Sequence, residues 1–377
     1  MRIKSIRANR LSIPFKAAFK HASATRATTE TLWVEIASSQ GATGYGEGCP
    51  RQYVTAESLD SAENFIATHK VDWRENLHDI TSIRNWANQH ETDIDANPSA
   101  WTAVEIALLD VLGKEQNCSV ESLLGLPELH GTFRYSAVVG DASAAAFETQ
   151  VRTYRHAGFN DFKIKLSGDL VRDLEKTSLL KASGLSASTV RADANNFWRN
   201  PDEVIKHIEG LAFPFHAIEE PLQTGDMGGM LEIAAALKTN IIVDESLLRV
   251  KQLELLASAP QMWIVNLRVS KMGGVLRSLM LFEAARQMGV KVIVGAHVGE
   301  TSVLTRAALT VASQARELLL AQEGAFGTHL LTADVVTAPL VFDRGGILDM
   351  DVTRPIQMSG FGLDVMAELP GLSRDDR

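Results

Sequence analysis

The stretch from Phe162 to His297 decides the fold, because six short apolar runs within it each lead into a charged or basic side chain. The runs are FKIKL (162–166), TVRAD (189–193), AIEEP (217–221), IIVDES (241–246), WIVNLR (263–268) and KVIVGAH (291–297). Each run has the length of a buried strand. Parallel, adjacent strands bring their carboxyl ends to one face, so the polar residues at these ends are predicted to converge.

The segments between these strands have the apolar spacing of helices, at residues 170–181, 201–211, 227–237, 251–258 and 276–288. Repeated strand, helix, strand units indicate an α/β fold with right-handed crossovers. An open doubly wound sheet would explain the alternation, but it would not gather six strand ends around one point. We therefore predict a TIM-like barrel, with its first strand near 133–140 and its last near 317–324.

The residues before the barrel have a different pattern. Residues 1 to about 60 alternate polar and apolar side chains as a three-stranded antiparallel meander does, and residues 57–124 then become helical. Strands followed by helices indicate an α+β domain. The predicted division is an N-terminal α+β domain over 1–127, a barrel over 128–338 and a C-terminal segment over 339–377 that returns to the first domain.

Two polar connections in the N-terminal part, residues 16–30 and 49–57, are candidates for a lid over a substrate. They contain Arg26, Arg51 and Tyr53, side chains of the kind that contact ligands. Ordinary surface loops would have the same composition, so both interpretations stay open.

Composition excludes several classes of protein. The chain has 377 residues, is 45% hydrophobic and 22% charged, and carries a net charge of −9, so neither nucleic acid nor an anionic membrane is expected as a partner. No run reaches the roughly 20 apolar residues of a membrane helix. Cys49 and Cys118 are too far apart for a metal motif and too few for a disulfide framework. A cytoplasmic protein is predicted.

Three acids fall at successive strand ends: Asp193, Glu219 and Asp244, separated by 26 (219 − 193) and 25 (244 − 219) residues. Each alone is more simply explained as a helix cap or a solvated loop residue. Together they would repel one another unless a cation lay between them. Oxygen ligands without Cys or His are typical of a hard divalent ion, so one Mg²⁺ is predicted.

Lys163 and Lys165 lie two residues apart on one strand and therefore point to the same side. Carboxylates nearby would raise the pKa of a lysine, whereas a second ammonium lowers it, so one of the pair could take a proton while the other holds a substrate carboxylate. Two solvated lysines are the alternative. A divalent ion beside a lysine suggests removal of the α-proton of a small carboxylate through an enediolate, with Lys165 as the base.

These motifs resemble the enolase superfamily in its muconate lactonizing enzyme subgroup. The resemblance rests on K-x-K at 163–165, D-x-N at 193–195, E-E-P at 219–221, D-E-S at 244–246 and VNLRVSKMGG at 265–274. It implies a modified (β/α)7β barrel whose mouth is closed by a capping domain, with specificity loops at 16–30 and 49–57. The stretch YGEGCPRQYVTAES at 45–58 is similar to the dipeptide epimerase branch in particular. Relatives are often oligomers, which implies a homo-oligomer.

The sixth strand departs from the pattern of the subgroup. Relatives carry N-x-K-x-x-K-x-G-G, but here Arg268 replaces the first lysine and Lys271 fills the second position. Arginine cannot be deprotonated in practice, so a two-lysine racemase is disfavoured. Three functions remain. In the first choice Lys165 works alone and Arg268 supplies positive charge, as suits cycloisomerisation or β-elimination. The second is an amino-acid or dipeptide racemase or epimerase that uses Lys165 and His297, and the third is a metal-binding homologue that has lost catalysis.

Substrate contacts follow from the same resemblance and from position at strand ends. In dipeptide epimerases, acids near the eighth strand hold the substrate ammonium, usually as D-x-D, and E-G-A at 323–325 supplies one of the two. An arginine beside His297 would lower the pKa of that histidine. The predicted substrate-binding residues are Lys163, Asn195, Arg268, His297, Glu300, Glu323, Arg26, Arg51 and Tyr53.

Overall fold

The structure is a computed structural model that describes residues 1–21, 24–186, 189–353 and 359–373, and the side chains of residues 17–25 and 373 lie outside the description. Its first strands are β1 (Ile3–Leu11), β2 (Pro14–His21), β3 (Ala24–Thr28), β4 (Thr31–Ser38) and β5 (Thr43–Gly48). β1, β4 and β5 pair antiparallel as the predicted meander. β2 and β3 pair with each other, so the predicted loop at 16–30 is instead largely a two-stranded ribbon, with residues 22–23 outside the described part.

Six helices follow: α1 (Gln52–Thr55), α2 (Leu59–Asn76), α3 (Ile80–Gln89), α4 (Glu91–Ala96), α5 (Pro98–Gln116) and α6 (Val120–Leu124). α5 is buried from 98 to 113 and packs directly on β5. The glycines of β5 permit this approach, because a Cβ at Gly46 would lie 1.9 Å from the carbonyl oxygen of Ala103. In the described part of the chain, no helix is both long and apolar enough to cross a membrane.

The rest of the chain builds the predicted barrel. Its elements are β6 (Thr132–Arg134), β7 (Ala137–Val139), α7 (Ala144–His156), β8 (Phe162–Lys165), α8 (Leu170–Ala182), β9 (Val190–Asp193), α9 (Pro201–Gly210), β10 (Ala217–Glu219), α10 (Met227–Leu237), β11 (Asn240–Val243), β12 (Trp263–Leu267), α11 (Val269–Met272), α12 (Val275–Met288), β13 (Lys291–Val294), α13 (Ser302–Gln314), β14 (Leu319–Gln322) and α14 (Gly327–Leu330). β7 to β14 form one parallel sheet in chain order, which confirms the α/β barrel with an N-terminal α+β domain.

The first and last barrel strands meet at one point. The N–H of Ser136 donates to the carbonyl of Gln322 at 2.8 Å, beside a parallel bridge between Tyr135 and Gln322. Among the described residues, no further backbone pair joins β7 to β14 toward the mouth of the barrel. The described backbone pairs between these strands therefore end at Gln322, the last residue of β14, and we call the unpaired stretch beyond it, beside Ala137–Val139, the β7–β14 seam.

One predicted helix differs in type. Residues 251–258 have the apolar spacing of a helix, and the structure has a 3-10 helix at Val250–Leu256, where the other crossovers have α-helices. Leu253 and Leu256 are its buried residues, and a spacing of three suits three residues per turn. The apolar spacing alone does not distinguish the two helix types.

The C-terminal segment ties the two parts of the chain together. β15 (Ile347–Asp349) pairs with β6, and β16 (Leu372–Ser373) pairs with β1. The β2–β3 ribbon is anchored on the segment after β14, where the N–H of Thr332 donates to the carbonyl of Pro14 at 2.9 Å. Residues 354–358 and 374–377 lie outside the described part, and the division at 127/128 and 338/339 stays a prediction.

Two buried acids dock the N-terminal domain on the barrel. Glu47 of β5 accepts from the backbone N–H of Thr301 at 3.1 Å and from its hydroxyl at 2.6 Å, at the start of α13. Glu105 of α5 accepts from the N–H of Leu276 at 3.0 Å, at the start of α12. The first N–H groups of a helix have no partner within the helix, so each acid supplies the acceptor that a barrel helix lacks.

Candidate active site

A cavity of about 760 Å³ opens at the carboxyl ends of the barrel strands. Nine of the predicted site residues line it, although their strands are far apart in the sequence. They are Tyr53, Lys163, Lys165, Asp193, Asn195, Arg268, His297, Glu300 and Glu323. Glu219, Asp244, Arg26 and Arg51 are outside this lining.

Lys163 of β8 is surrounded by carboxylates. Its Nζ lies 2.7 Å from Oε2 of Glu219, 3.1 Å from Oε2 of Glu323 and 3.4 Å from Oδ2 of Asp193. Burial disfavours the charge, but these three carboxylates outweigh burial and raise the pKa of Lys163 above its ordinary value. Lys163 is therefore a fixed cation, and the predicted lowering of the pKa in this lysine pair does not apply to it.

Lys165 has a less crowded environment. Its Nζ donates to Oδ1 of Asn195 at 2.6 Å and lies 3.6 Å from Oδ2 of Asp193. Asn195 has a φ of 47°, a left-handed backbone conformation that asparagine tolerates, and its N–H donates to Oδ1 of Asp193 at 3.0 Å. The backbone of the D-x-N motif thus forms a tight turn, which places the side-chain oxygen of Asn195 next to the ammonium of Lys165.

The three predicted metal ligands occupy neighbouring strand ends. Glu219 is the register partner of Asp193, and Asp244 directly follows β11, which pairs with β10. All three are buried. Asp244 contacts the guanidinium of Arg268, and its Oδ1 accepts from Nζ of Lys271 at 2.8 Å. Buried carboxylates require compensating charge, which these cationic side chains and Lys163 provide.

A hard divalent ion fits this donor set in its chemistry. The donors are oxygens only, on adjacent strand ends of one face. Among the described residues, the three carboxylates are not grouped as ligands of one ion. Glu219 is instead paired with the ammonium of Lys163, and Asp244 with the guanidinium of Arg268. A bound ion would replace Arg268 as the positive charge next to Asp244.

Glu220 is a residue whose role the sequence did not reveal. It directly follows Glu219, and its φ of 41° turns it toward the next strand end. It accepts from the N–H of Asp244 at 2.6 Å, from the N–H of Ser246 at 2.8 Å and from Nδ2 of Asn196 at 2.9 Å. Glu220 therefore positions the backbone of the D-E-S motif that carries Asp244.

Arg268 and Lys271 both form ion pairs with Asp244. Lys271 is fully buried and also donates to the carbonyl oxygens of Asp244 at 2.8 Å and Asn266 at 2.7 Å. Burial, with the nearby guanidinium of Arg268, lowers the pKa of Lys271 to about 7. Arg268 lines the cavity as well, so its charge faces both the acid and the space for a ligand.

His297 lies deep in the cavity wall, 3% exposed. Neither ring nitrogen has a hydrogen-bond partner among the described residues. Burial and the charge of Arg268 lower the pKa of His297 well below its ordinary value, in the predicted direction. Its backbone N–H donates to Oε1 of Glu300 at 2.6 Å, and burial raises the pKa of Glu300 to about 7. The ring is therefore neutral, and both of its nitrogens are buried without a hydrogen-bond partner in the described residues.

Glu323 lies on the opposite flank of Lys163. Its Oε1 lies 3.4 Å from Nη1 of Arg191, a fully buried arginine that also donates to Ser136 at 2.6 Å. Burial opposes ionisation, but Lys163 and Arg191 lower the pKa of Glu323. Both oxygens of the Glu323 carboxylate are thus already paired with cations, one with Lys163 and the other with Arg191. The sequence predicted that Glu323 would bind the substrate.

The predicted lid residues divide into two kinds. Tyr53 lines the cavity, with the guanidinium of Arg26 5.9 Å from its ring centre. Arg51 is fully buried and donates to the carbonyls of Pro50 and Val298 at 2.8 Å, Glu30 at 3.0 Å and Thr29 at 3.2 Å. Substrate contact was predicted for Arg51, but its guanidinium instead joins the end of the ribbon to the loop after β13. Arg26 forms an ion pair with Glu30.

An α/β barrel with lysines on its second strand, acids on the next three and an α+β domain against it defines the enolase superfamily architecture. Residues 5–125 match the N-terminal domain of the mandelate racemase / muconate lactonizing enzyme family, and residues 146–368 match the enolase C-terminal domain-like family. The chain belongs to the mandelate racemase / muconate lactonizing enzyme family, which confirms the resemblance found in the sequence.

Similar proteins cover most of the chain. L-Ala-D/L-Glu epimerase of Bacillus subtilis (strain 168) is 28% identical over 328 residues, 83% of this chain and 86% of the relative. N-succinyl-L-Arg/Lys racemase of Bacillus cereus is 23% identical over 369 residues, 97% of this chain and 96% of the relative. A substrate-liganded structure of the first relative superposes with a TM-score of 0.84 at 25% identity, over 97% of this chain and 100% of that one. Dipeptide epimerase of Enterococcus faecalis V583, solved with Mg and L-Leu-L-Tyr, gives 0.82 at 22% identity over 97% and 100%.

Proposed function

We propose that this chain is a Mg²⁺-dependent racemase or epimerase that inverts the α-carbon of an amino-acid-derived carboxylate. The observation that carries the proposal is that Lys165 and the neutral ring of His297 line one cavity from different strands. The named relatives, which are epimerases and racemases, support this function over the cycloisomerisation or elimination first expected from the sequence.

Asp193, Glu219 and Asp244 would hold the ion, and Mg²⁺ supplies positive charge against the substrate carboxylate when it is bound. Lys163 adds a second fixed positive charge at the same end of the cavity, because its pKa is raised. The charge of Lys163 favours the enediolate that forms when the α-carbon loses its proton, and a bound ion would add positive charge there. Asn195 orients the ammonium of Lys165.

The proton path uses the two groups in complementary states. Neutral His297 accepts the α-proton on one face, and the ammonium of Lys165 returns a proton to the carbon on the other face. The products are an imidazolium and a neutral amine, which exchange protons with water before the next turnover. The reverse reaction, which starts from the other enantiomer, begins with neutral Lys165 as the base.

A second candidate function keeps Lys165 as the acid–base group on one face only. Arg268 favours it, because a guanidinium that contacts Asp244 cannot accept a proton from the substrate. Such an enzyme would eliminate a β-substituent or close a ring without inverting the α-carbon.

Proton NMR in D₂O with Mg²⁺ separates these functions. The probes are both enantiomers of N-succinyl-arginine and both epimers of L-Ala-Glu. We expect loss of the α-proton signal with inversion in the wild type. His297→Asn should slow inversion by about 10²–10⁴-fold while the enantiomer facing Lys165 still exchanges. His156→Asn, an exposed histidine outside the cavity, is the matched control. Inversion that survives His297→Asn at the wild-type rate would refute the two-base assignment, and loss of a β-substituent would favour the second candidate.

A further inference from the structure

The cavity continues beyond the mouth of the barrel. Besides the strand ends, it is lined by Gln150, Thr153 and Tyr154 of α7 and by residues 342–344 of the C-terminal segment. Helix α7 lies outside the strand ring, so the cavity extends beyond the ring on the side of β7, where Val138, Gly140 and Asp141 also line it. We call this part the outer arm.

The outer arm lies on the side of the barrel where the chain after the last strand forms only a short helix. α7 to α10 each have ten residues or more, whereas α14 after β14 has four. A helix of four residues cannot cover the space that a full crossover helix covers in the other units. Val138 of β7, the register partner of Lys163, lines the cavity beside this gap.

Aromatic side chains form one wall of the outer arm. Phe342 lies at the centre of this wall, with ring centres 5.2 Å from Phe326 and 5.5 Å from Phe159. The ring of Tyr154 lies 5.0 Å from that of Phe159 and continues the wall onto α7. Such a surface favours apolar and aromatic ligand groups.

The charges of the cavity are divided between its ends. The buried ammonium groups of Lys163 and Lys165 and the half-buried carboxylate of Glu323 all lie at the barrel mouth. At the far end of the outer arm, Thr153, Asp343 and Arg344 are exposed to solvent. A ligand that fills the cavity would therefore carry its carboxylate at one end and apolar groups along its length, with the far end open to extension.

From this we propose that the outer arm binds an extended apolar substituent of the substrate, so that the substrate class is an amino-acid-derived carboxylate with a long acyl or aromatic group. The amino-acid-derived carboxylate of this ligand rests on the proposed function, whereas the occupancy of the outer arm does not. A cavity of about 760 Å³ lies in the size range of pockets that enclose drug-sized ligands, and a free amino acid would leave the outer arm empty.

Calorimetric binding of a series of N-acyl-L-phenylalanines to the full chain with Mg²⁺ tests this. The acyl groups are acetyl, hexanoyl and decanoyl. Affinity should increase with acyl length, by up to about fourfold for each methylene that is buried. Thr153→Trp should block the far end of the outer arm, and it should lower the affinity for the decanoyl compound at least tenfold while leaving that for the acetyl compound within twofold.

Thr149→Trp is the matched control. Thr149 and Thr153 are both exposed on α7 and both donate to a carbonyl four residues earlier at 2.8 Å, but only Thr153 lines the cavity. The control should retain the wild-type length dependence. Equal length dependence in wild type and Thr153→Trp, or no binding by any member of the series, would overturn the proposal.

Proton exchange by the same compounds distinguishes the two proposals. Length-dependent binding that Thr153→Trp removes, without any α-proton exchange, would support the outer arm and count against the proposed function. Exchange at a rate independent of acyl length, with affinity also independent of it, would support the function and overturn the outer arm.

Discussion

Glu47→Gln tests how the N-terminal domain is docked. Glu47 is fully buried and accepts from the backbone N–H and the hydroxyl of Thr301 at the start of α13. Burial, with the nearby charges of Glu300 and Asp334, raises the pKa of Glu47 to about 8, although the hydrogen bonds from Thr301 oppose the shift. The acid is therefore protonated in the folded protein at pH 5 and ionises near pH 8.

The sign of the effect on stability follows from proton binding. An acid with a raised pKa holds its proton more tightly in the folded state, so its contribution is fully present below the unfolded pKa of 4.5 and is lost as the pH rises through about 8. Between pH 5 and 8 this loss amounts to about 3–4 kcal/mol, at about 1.36 kcal/mol per unit. Glutamine resembles the protonated acid in shape and does not ionise, so the variant should lack this loss.

Urea unfolding at pH 5, 6.5 and 8, followed by tryptophan fluorescence, provides the measurement. We expect Glu47→Gln to lie within about 1 kcal/mol of the wild type at pH 5 and to exceed its free energy of unfolding at pH 8 by about 3 kcal/mol. If the variant is less stable than the wild type by the same amount at all three pH values, Glu47 is an ionised helix cap and the argument from burial is wrong.

Three further substitutions test separate parts of the structure. Asp193→Asn should abolish calorimetric Mg²⁺ binding, and an unchanged titration would refute the ligand assignment. Arg51→Met should lower the free energy of unfolding by about 3 kcal/mol, because four carbonyl groups lose a charged donor; a change below about 0.5 kcal/mol in urea would contradict its joining role. Arg268→Lys places a titratable amine on the strand across the barrel from Lys165 and should speed α-proton exchange of a bound carboxylate in D₂O, and no gain with a proven substrate would count against Arg268 facing the reacting carbon.

The barrel could be predicted because its strands are buried on both faces. Such strands appear in sequence as short apolar runs, and a polar residue at each end indicates the mouth. The convergence of Lys163, Asp193 and Asn195 follows from that topology alone. The β2–β3 ribbon could not be predicted in the same way, since Phe19 pairs with Arg26 across a short connection with no apolar alternation.

Roles that depend on distances between strands were beyond the sequence. The pKa of Lys163 is raised by acids from three other strands. The sequence argument rested on the neighbouring ammonium of Lys165, which predicted a lowered pKa. Arg51 has the composition of a ligand-binding side chain, and only its four carbonyl partners show a joining role. The β7–β14 seam was hidden as well, because the number of strands does not determine how many backbone pairs close a barrel.

The docking acids restrict how a substrate reaches the barrel. Rotation of the N-terminal domain away from the barrel would break the contacts of Glu47 and Glu105 and expose to water the buried surface that α5 packs against α11 and α12. Entry of the substrate by rotation of the whole N-terminal domain is therefore unfavourable. A substrate would then enter while the N-terminal domain stays docked, and the turnover rate of this protein would reflect the motion of a small segment rather than that of a domain.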